Sequence, residues 1–193
     1  VAEKRADRYM GFAPDAPRAR GLGMEVVVKS IDARRSDGIA IGFTALNPNE
    51  WPAKRGHPRH ASMLSQTWVC GYAGRWFFDR RSRPIQPLGP TLKPWEPGLL
   101  QCGDVVTAVV VEAPISTIRI LVNGLIVAEE ALKAAGFPDL VQTPLWGIVD
   151  VNGACTSIAL KEKARPLDAD IDDVPILSPI GSPPPMAARR KGR

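Results

Sequence analysis

Two histidines and two arginines interleaved in one stretch, Arg55, His57, Arg59 and His60, have the side-chain types of a metal or phosphate site. No carboxylate or cysteine stands near enough in sequence to complete a ligand set, so a solvated basic stretch is the stronger reading. The three cysteines, Cys70, Cys102 and Cys155, are odd in number and have no C-x-x-C spacing. That argues against a disulfide framework or a structural zinc site, and for small buried thiols in a reducing, intracellular and cytoplasmic setting. Asp79, Asp104 and Asp150 each fall at the end of an apolar run without a paired acid at a defined spacing. Gly-rich phosphate loops, nucleophile elbows and H-E-x-x-H patterns are absent from the sequence, and the expectation is a chain that is not an enzyme and uses no cofactor and no metal.

Binding chemistry is better represented. Trp68, Tyr72, Trp76 and Phe78 could stack on bases, which keeps a nucleic-acid partner open, but at alternating spacing such aromatics are more often core. Arg80, Arg81 and Arg83 follow them directly and suit contact with an acidic partner. Trp51 lies in a long loop, 46–65, of Asn, Pro, Lys, Arg and His. Trp95 lies in a second one, 80–98, stiffened by Pro84, Pro87, Pro90, Pro94 and Pro97. An exposed Trp on a rigid loop is a strong anchor for a partner, and a Trp plugging one end of the core is an equal alternative. The candidate partner-binding residues are therefore Trp51, Arg55, Arg80, Arg81, Arg83 and Trp95.

These loops need a scaffold, and the apolar patterning describes one. Met24, Val26 and Val28 alternate with polar Glu25 and Lys29, and Ile39, Ile41 and Phe43 line one side of the next run, opposite Ala40, Gly42 and Thr44. Asp37-Gly38 between them predicts an antiparallel pair. Asp104–Glu112 is apolar on both faces, as a central strand is. Asn-Gly at 123–124 and again at 152–153, each between apolar runs, predicts two hairpins, because a type I′ turn needs positive φ at both central residues. Glu129–Ala135 holds helix formers before Gly136 and Pro138, which predicts one short helix. About eight strands with turn residues between them make an all-β chain, an antiparallel β-sandwich.

The 193 residues fit one domain with tails: an irregular arm at 1–23, a sandwich at 24–160, and a tail at 161–193 that is proline-rich, acidic and then basic. The first residue is Val1, so the chain reads as a processed product or an excerpt. The net charge of +5 is concentrated in clusters, two of them in the tails. Tails of this composition suit docking on neighbouring subunits. No apolar run is long enough to span a bilayer as a helix.

Four segments, GIAIGFTALNP at 38–48, GDVVTAVV at 103–110, IRILVNG at 118–124 and LWGIVDVNGACTSIAL at 145–160, occur in an order that resembles the Neuralized homology repeat, a relative of the SPRY domain. The resemblance implies a β-sandwich that binds other proteins through loops at one end, often as an adaptor or substrate-recognition part of ubiquitin-ligase complexes, with no chemistry of its own. Residues 1–23 do not look like the strands with which that family opens. If those strands are missing, a sheet edge is left open to an added strand. The alternative function is a structural subunit of a large ribonucleoprotein or cytoskeletal assembly.

Overall fold

The computed structural model describes residues 2–3, 9–13, 23–48, 58–88, 94–111, 116–138, 143–151 and 153–161. In chain order its strands are β1 (Ala2–Glu3), β2 (Tyr9–Ala13), β3 (Gly23–Ile31), β4 (Ala40–Thr44), β5 (Thr67–Gly71), β6 (Arg75–Phe78), β7 (Arg81–Pro84), β8 (Val105–Val111), β9 (Thr117–Val122), β10 (Leu125–Ala131), β11 (Trp146–Val151) and β12 (Cys155–Leu160). They form two antiparallel six-stranded sheets, ordered β1-β12-β3-β8-β9-β10 and β2-β11-β4-β5-β6-β7. The expected β-sandwich is the observed fold.

The faces come out as the alternation requires. Met24, Val26 and Val28 on the first sheet and Ile39, Ile41 and Phe43 on the second are buried in one core between the sheets, with Trp68, Trp76 and Phe78. Burying each such side chain contributes roughly 1.5–3 kcal/mol, which makes this layer the main source of stability. The aromatics considered for base stacking are thus core residues, and Tyr72 is buried on the outer face of its sheet.

Four expectations are corrected. The runs around Asp37-Gly38 do not pair with each other: β3 lies between β12 and β8, whereas β4 lies between β11 and β5. The same holds at Asn152-Gly153, where β11 belongs to one sheet and β12 to the other, so the predicted hairpin is an arch between sheets. Both arms of each arch have both of their edges taken by other strands, which a turn signal cannot reveal. Asn123-Gly124 does close a hairpin, with φ of 53° and 84° and Val122 opposite Leu125.

The expected helix at Glu129–Ala135 is mostly strand. Pairing with β9 as far as Ala131 overrides the local helix preference, and Glu129 meets Arg119 across the ladder at 3.1 Å. What survives is one turn. Phe137 N–H donates to Leu132 O and Gly136 N–H to Lys133 O, with Gly136 at φ 65°, the bonding of a Schellman cap. The arm at 1–23 is not wholly irregular either. Its β1 pairs with β12 and its β2 with β11, so the edges expected to stand open beside those strands are occupied. Neither short strand shows the alternation by which strands are read from sequence.

The two arches lie side by side and are laced by backbone bonds. Asp32 N–H donates to Ala154 O at 2.7 Å, and Ala154 N–H donates to Asp37 O. At Gly153, φ is 60° and a Cβ would run into the backbone carbonyl of Asp37, so this position requires glycine on two grounds.

Candidate functional site

Arg80 and Arg81 sit on the β6–β7 hairpin. Asp79 and Arg80 have φ of 46° and 71°, a two-residue turn with positive φ at both positions although neither is glycine. The Asp79 side chain also braces this turn, because its Oδ1 accepts the Gln66 N–H at 2.8 Å and so ties the hairpin to the start of β5. Arg80 and Arg81 are exposed on it.

Arg83, two residues on, is turned inward. Its guanidinium lies 4.7 Å from the centre of the Phe78 ring and forms an ion pair with Glu130. Since β7 and β10 are the last strands of their respective sheets among the described residues, this pair bridges the two sheets along one side of the sandwich. Trp95 is also an internal group, only 9% exposed and packed in the main core. Trp51 and Arg55 fall outside the described residues.

The loops do not gather at one end. The Asp79-Arg80 turn stands at the end of the sandwich that carries Thr44, Gln66 and Thr67. Thr44 and Thr67 join hydroxyls there at 2.8 Å. Trp95 and the 3-10 turn Pro97–Leu99 stand at the opposite end, against the arches. Gly98 there approaches the Ser36 carbonyl so closely that a Cβ would not fit, and Gly38 approaches Pro97 in the same way.

The later part of loop 46–65 leaves its end of the sandwich and crosses the outer face of the second sheet. Its turn Ala61–Met63 is seated on a second apolar cluster of Ala40, Ala61, Leu64, Val69, Tyr72 and Ile148. Asp150, 1% exposed, holds it there. The Asp150 carboxylate accepts the Ala61 N–H at 2.8 Å and the Tyr72 hydroxyl at 2.5 Å. Burial, then the Asp150 carboxylate, push the Tyr72 phenol well above the usual tyrosine range. The His60 ring packs edge-on against Tyr72 at 5.2 Å. An apolar strand with one carboxylate was the only sequence trace of this clasp, and its partners lie far away in the chain.

Among the described residues, no group of three or more His, Cys, Asp or Glu is arranged to hold a metal ion. No helix there is long and apolar enough to cross a membrane. Cys70 and Cys155 are buried and Cys102 is exposed, all as free thiols. Burial, with Glu130 nearby, pushes the Cys70 thiol well above its ordinary range.

Two facing antiparallel sheets, tied along one side by Arg83 and Glu130, define a β-sandwich domain. The chain belongs to the Neuralized family, whose model matches residues 16–162. That match begins inside the arm and takes in every strand from β3 to β12. The Neuralized homology repeat is a protein-interaction domain. Among solved structures, the chain is similar to the neuralized NHR1 domain of Drosophila melanogaster. Sequence identity is 14%, the alignment covers 73% of this chain and 72% of that one, and the TM-score is 0.50. At that identity the likeness concerns the fold. A comparison with curated proteins found no match.

Proposed function

We propose that this chain is the recognition part of an adaptor in a ubiquitin-ligase-type complex, and that its β6–β7 arginine turn contacts the partner. The observation that carries the reading is the pairing of the arginines. Arg35, Arg83 and Arg119 each have a carboxylate partner. Arg80 and Arg81 are exposed side by side, and no ion pair to either is found among the described residues; Arg34, Arg59 and Arg75 are also exposed without one, but none of them adjoins a second unpaired arginine in sequence. Their turn is braced from within, so little order is lost when a partner binds. Family membership supports the interaction role, and the ligase context rests on the family resemblance.

Affinity capture from native cells with the intact chain and with R80A/R81A tests this. The expected result is that the double variant loses the captured partners, ligase subunits among them, at an unchanged melting temperature. An identical set of partners with both chains removes the arginine turn from the site. A captured set that lacks ligase components removes the adaptor role.

A further inference from the structure

The backbone polarity of β7 follows from its hairpin. With Asp79 and Arg80 as the two central residues, Phe78 and Arg81 are the closing, hydrogen-bonded pair, and bonded pairs then alternate along the ladder. Trp76 and Arg83 form the next bonded pair, and the alternation continues with Ile85 N–H donating to Gly74 O at 3.3 Å. Ser82, opposite Phe77, belongs to a non-bonded pair and turns both its N–H and its C=O away from β6. Pro84 turns out a C=O alone, because it has no N–H. Among the described residues, no strand lies beyond β7 in its sheet. The edge therefore offers one two-bond backbone contact, at Ser82, and closes at Pro84.

Charge decides what can use it. A second copy of this edge would set arginine against arginine, which is unfavourable across a strand pair. A segment with carboxylates at alternate positions is favoured. In an antiparallel strand whose residue i faces Ser82, residue i+1 lies opposite Arg81 and residue i−1 opposite Arg83 on one shared face. Arg83 is already held by Glu130, so the acid is required at i+1, and an acid-x-acid pattern offers one there in either of two registers. We infer that the β7 edge takes an acidic extended segment of a partner protein as a short antiparallel strand, paired with Ser82 and read by Arg80 and Arg81. This rests on the protein-interaction reading and names its ligand chemistry.

The test uses a peptide of residues 167–174, LDADIDDV, which contains the acid-x-acid pattern twice, and a counterpart with Asn for every Asp. Both are titrated into the full-length, isotope-labelled chain carrying Asp→Asn at 168, 170, 172 and 173, so that the chain's own copy does not compete. The inference expects saturable amide shifts centred on Arg81 and Ser82, at least tenfold weaker binding by the Asn peptide, and a comparable loss in R80A/R81A. Ser82→Pro removes the outward N–H without touching the β6 ladder and is expected to abolish binding at an unchanged melting temperature. Equal shifts from both peptides, shifts centred elsewhere, or no shifts at all overturn the inference. Loss of natural partners by R80A/R81A alongside a silent peptide would leave the interaction role standing and remove the acidic-strand reading alone.

Discussion

The Tyr72 hydroxyl donates to the buried Asp150 carboxylate at 2.5 Å, across 78 residues of chain. Tyr72 lies just beyond β5 with φ of 51°, and Asp150 is in the second sheet's β11. The same carboxylate oxygen takes the Ala61 amide. Tyr72→Phe removes one charge-assisted bond and leaves the ring packing in place, at an expected cost of about 1.5–3 kcal/mol in a denaturant melt. Asp150→Ala strands both donors and is expected to cost more. In Asp150→Ala hydrogen exchange at the Ala61 amide rises, and an Ala61 amide that stays as protected as in the parent chain would show that Asp150 does not hold the turn.

Alkaline pH acts on the same pair. The folded state holds the Tyr72 proton more tightly than the unfolded state, where a tyrosine ionises near pH 10. Above that pH the unfolded chain binds fewer protons than the native one, so stability falls as pH rises. Cys70 contributes with the same sign, starting from a thiol's ordinary range. The melting temperature is expected to be insensitive to these groups up to about pH 8 and to decline beyond it. Tyr72→Phe should flatten part of the decline above about pH 10, and an unchanged alkaline slope would count against the assignment.

Trp95 separates a structural role from a binding one. Its side chain fills the core at the arch end, so Trp95→Ala is expected to cost about 3–5 kcal/mol, the range for removing a buried aromatic. Partner loss in that variant would then follow from unfolding. A melt within about 1 kcal/mol of the parent, on the order of a surface substitution, would return Trp95 to the candidate contacts.

Two glycines give an internally controlled comparison. Gly124 has φ of 84° with open space where a Cβ would be, whereas Gly153, at 60°, has the Asp37 backbone there. Gly124→Ala should carry only the left-handed backbone penalty of about 1–2 kcal/mol. Gly153→Ala adds a collision with a carbonyl that already accepts the Ala154 amide, and is expected to cost clearly more. Equal effects in thermal melts would mean that the laced arches yield without cost.

What could be read from the residues was whatever depends on neighbours in sequence. The inward faces of β3 and β4, the Asn123-Gly124 hairpin and the Gly136 cap all follow from local pattern, and all appear in the structure. Sheet membership does not follow from local pattern. Asn152-Gly153 satisfies every local rule for a hairpin, and only the presence of β4 and β2 beside β11, and of β3 and β1 beside β12, converts it into an arch. Glu129 and Glu130 read as helix for the same reason, since their partners Arg119 and Arg83 come from other strands. Of the candidate contacts, Arg80 and Arg81 stand at the surface, whereas Arg83 and Trp95 are drawn inward by Glu130, Phe78 and the core. Exposure is settled by packing, which a run of three arginines does not record.

The paired arches also bear on synthesis. Neither β3 nor β4 can complete its pairing until residues 146–160 have left the ribosome, because β11 and β12 occupy one edge of each. During that interval two strands with wholly apolar inner faces wait half-paired, in the condition most open to wrong strand addition. Long-range pairings of this kind also place the domain among slowly folding topologies. A pause before residues 146–160 have emerged from the ribosome would prolong this exposure, and their emergence would end it.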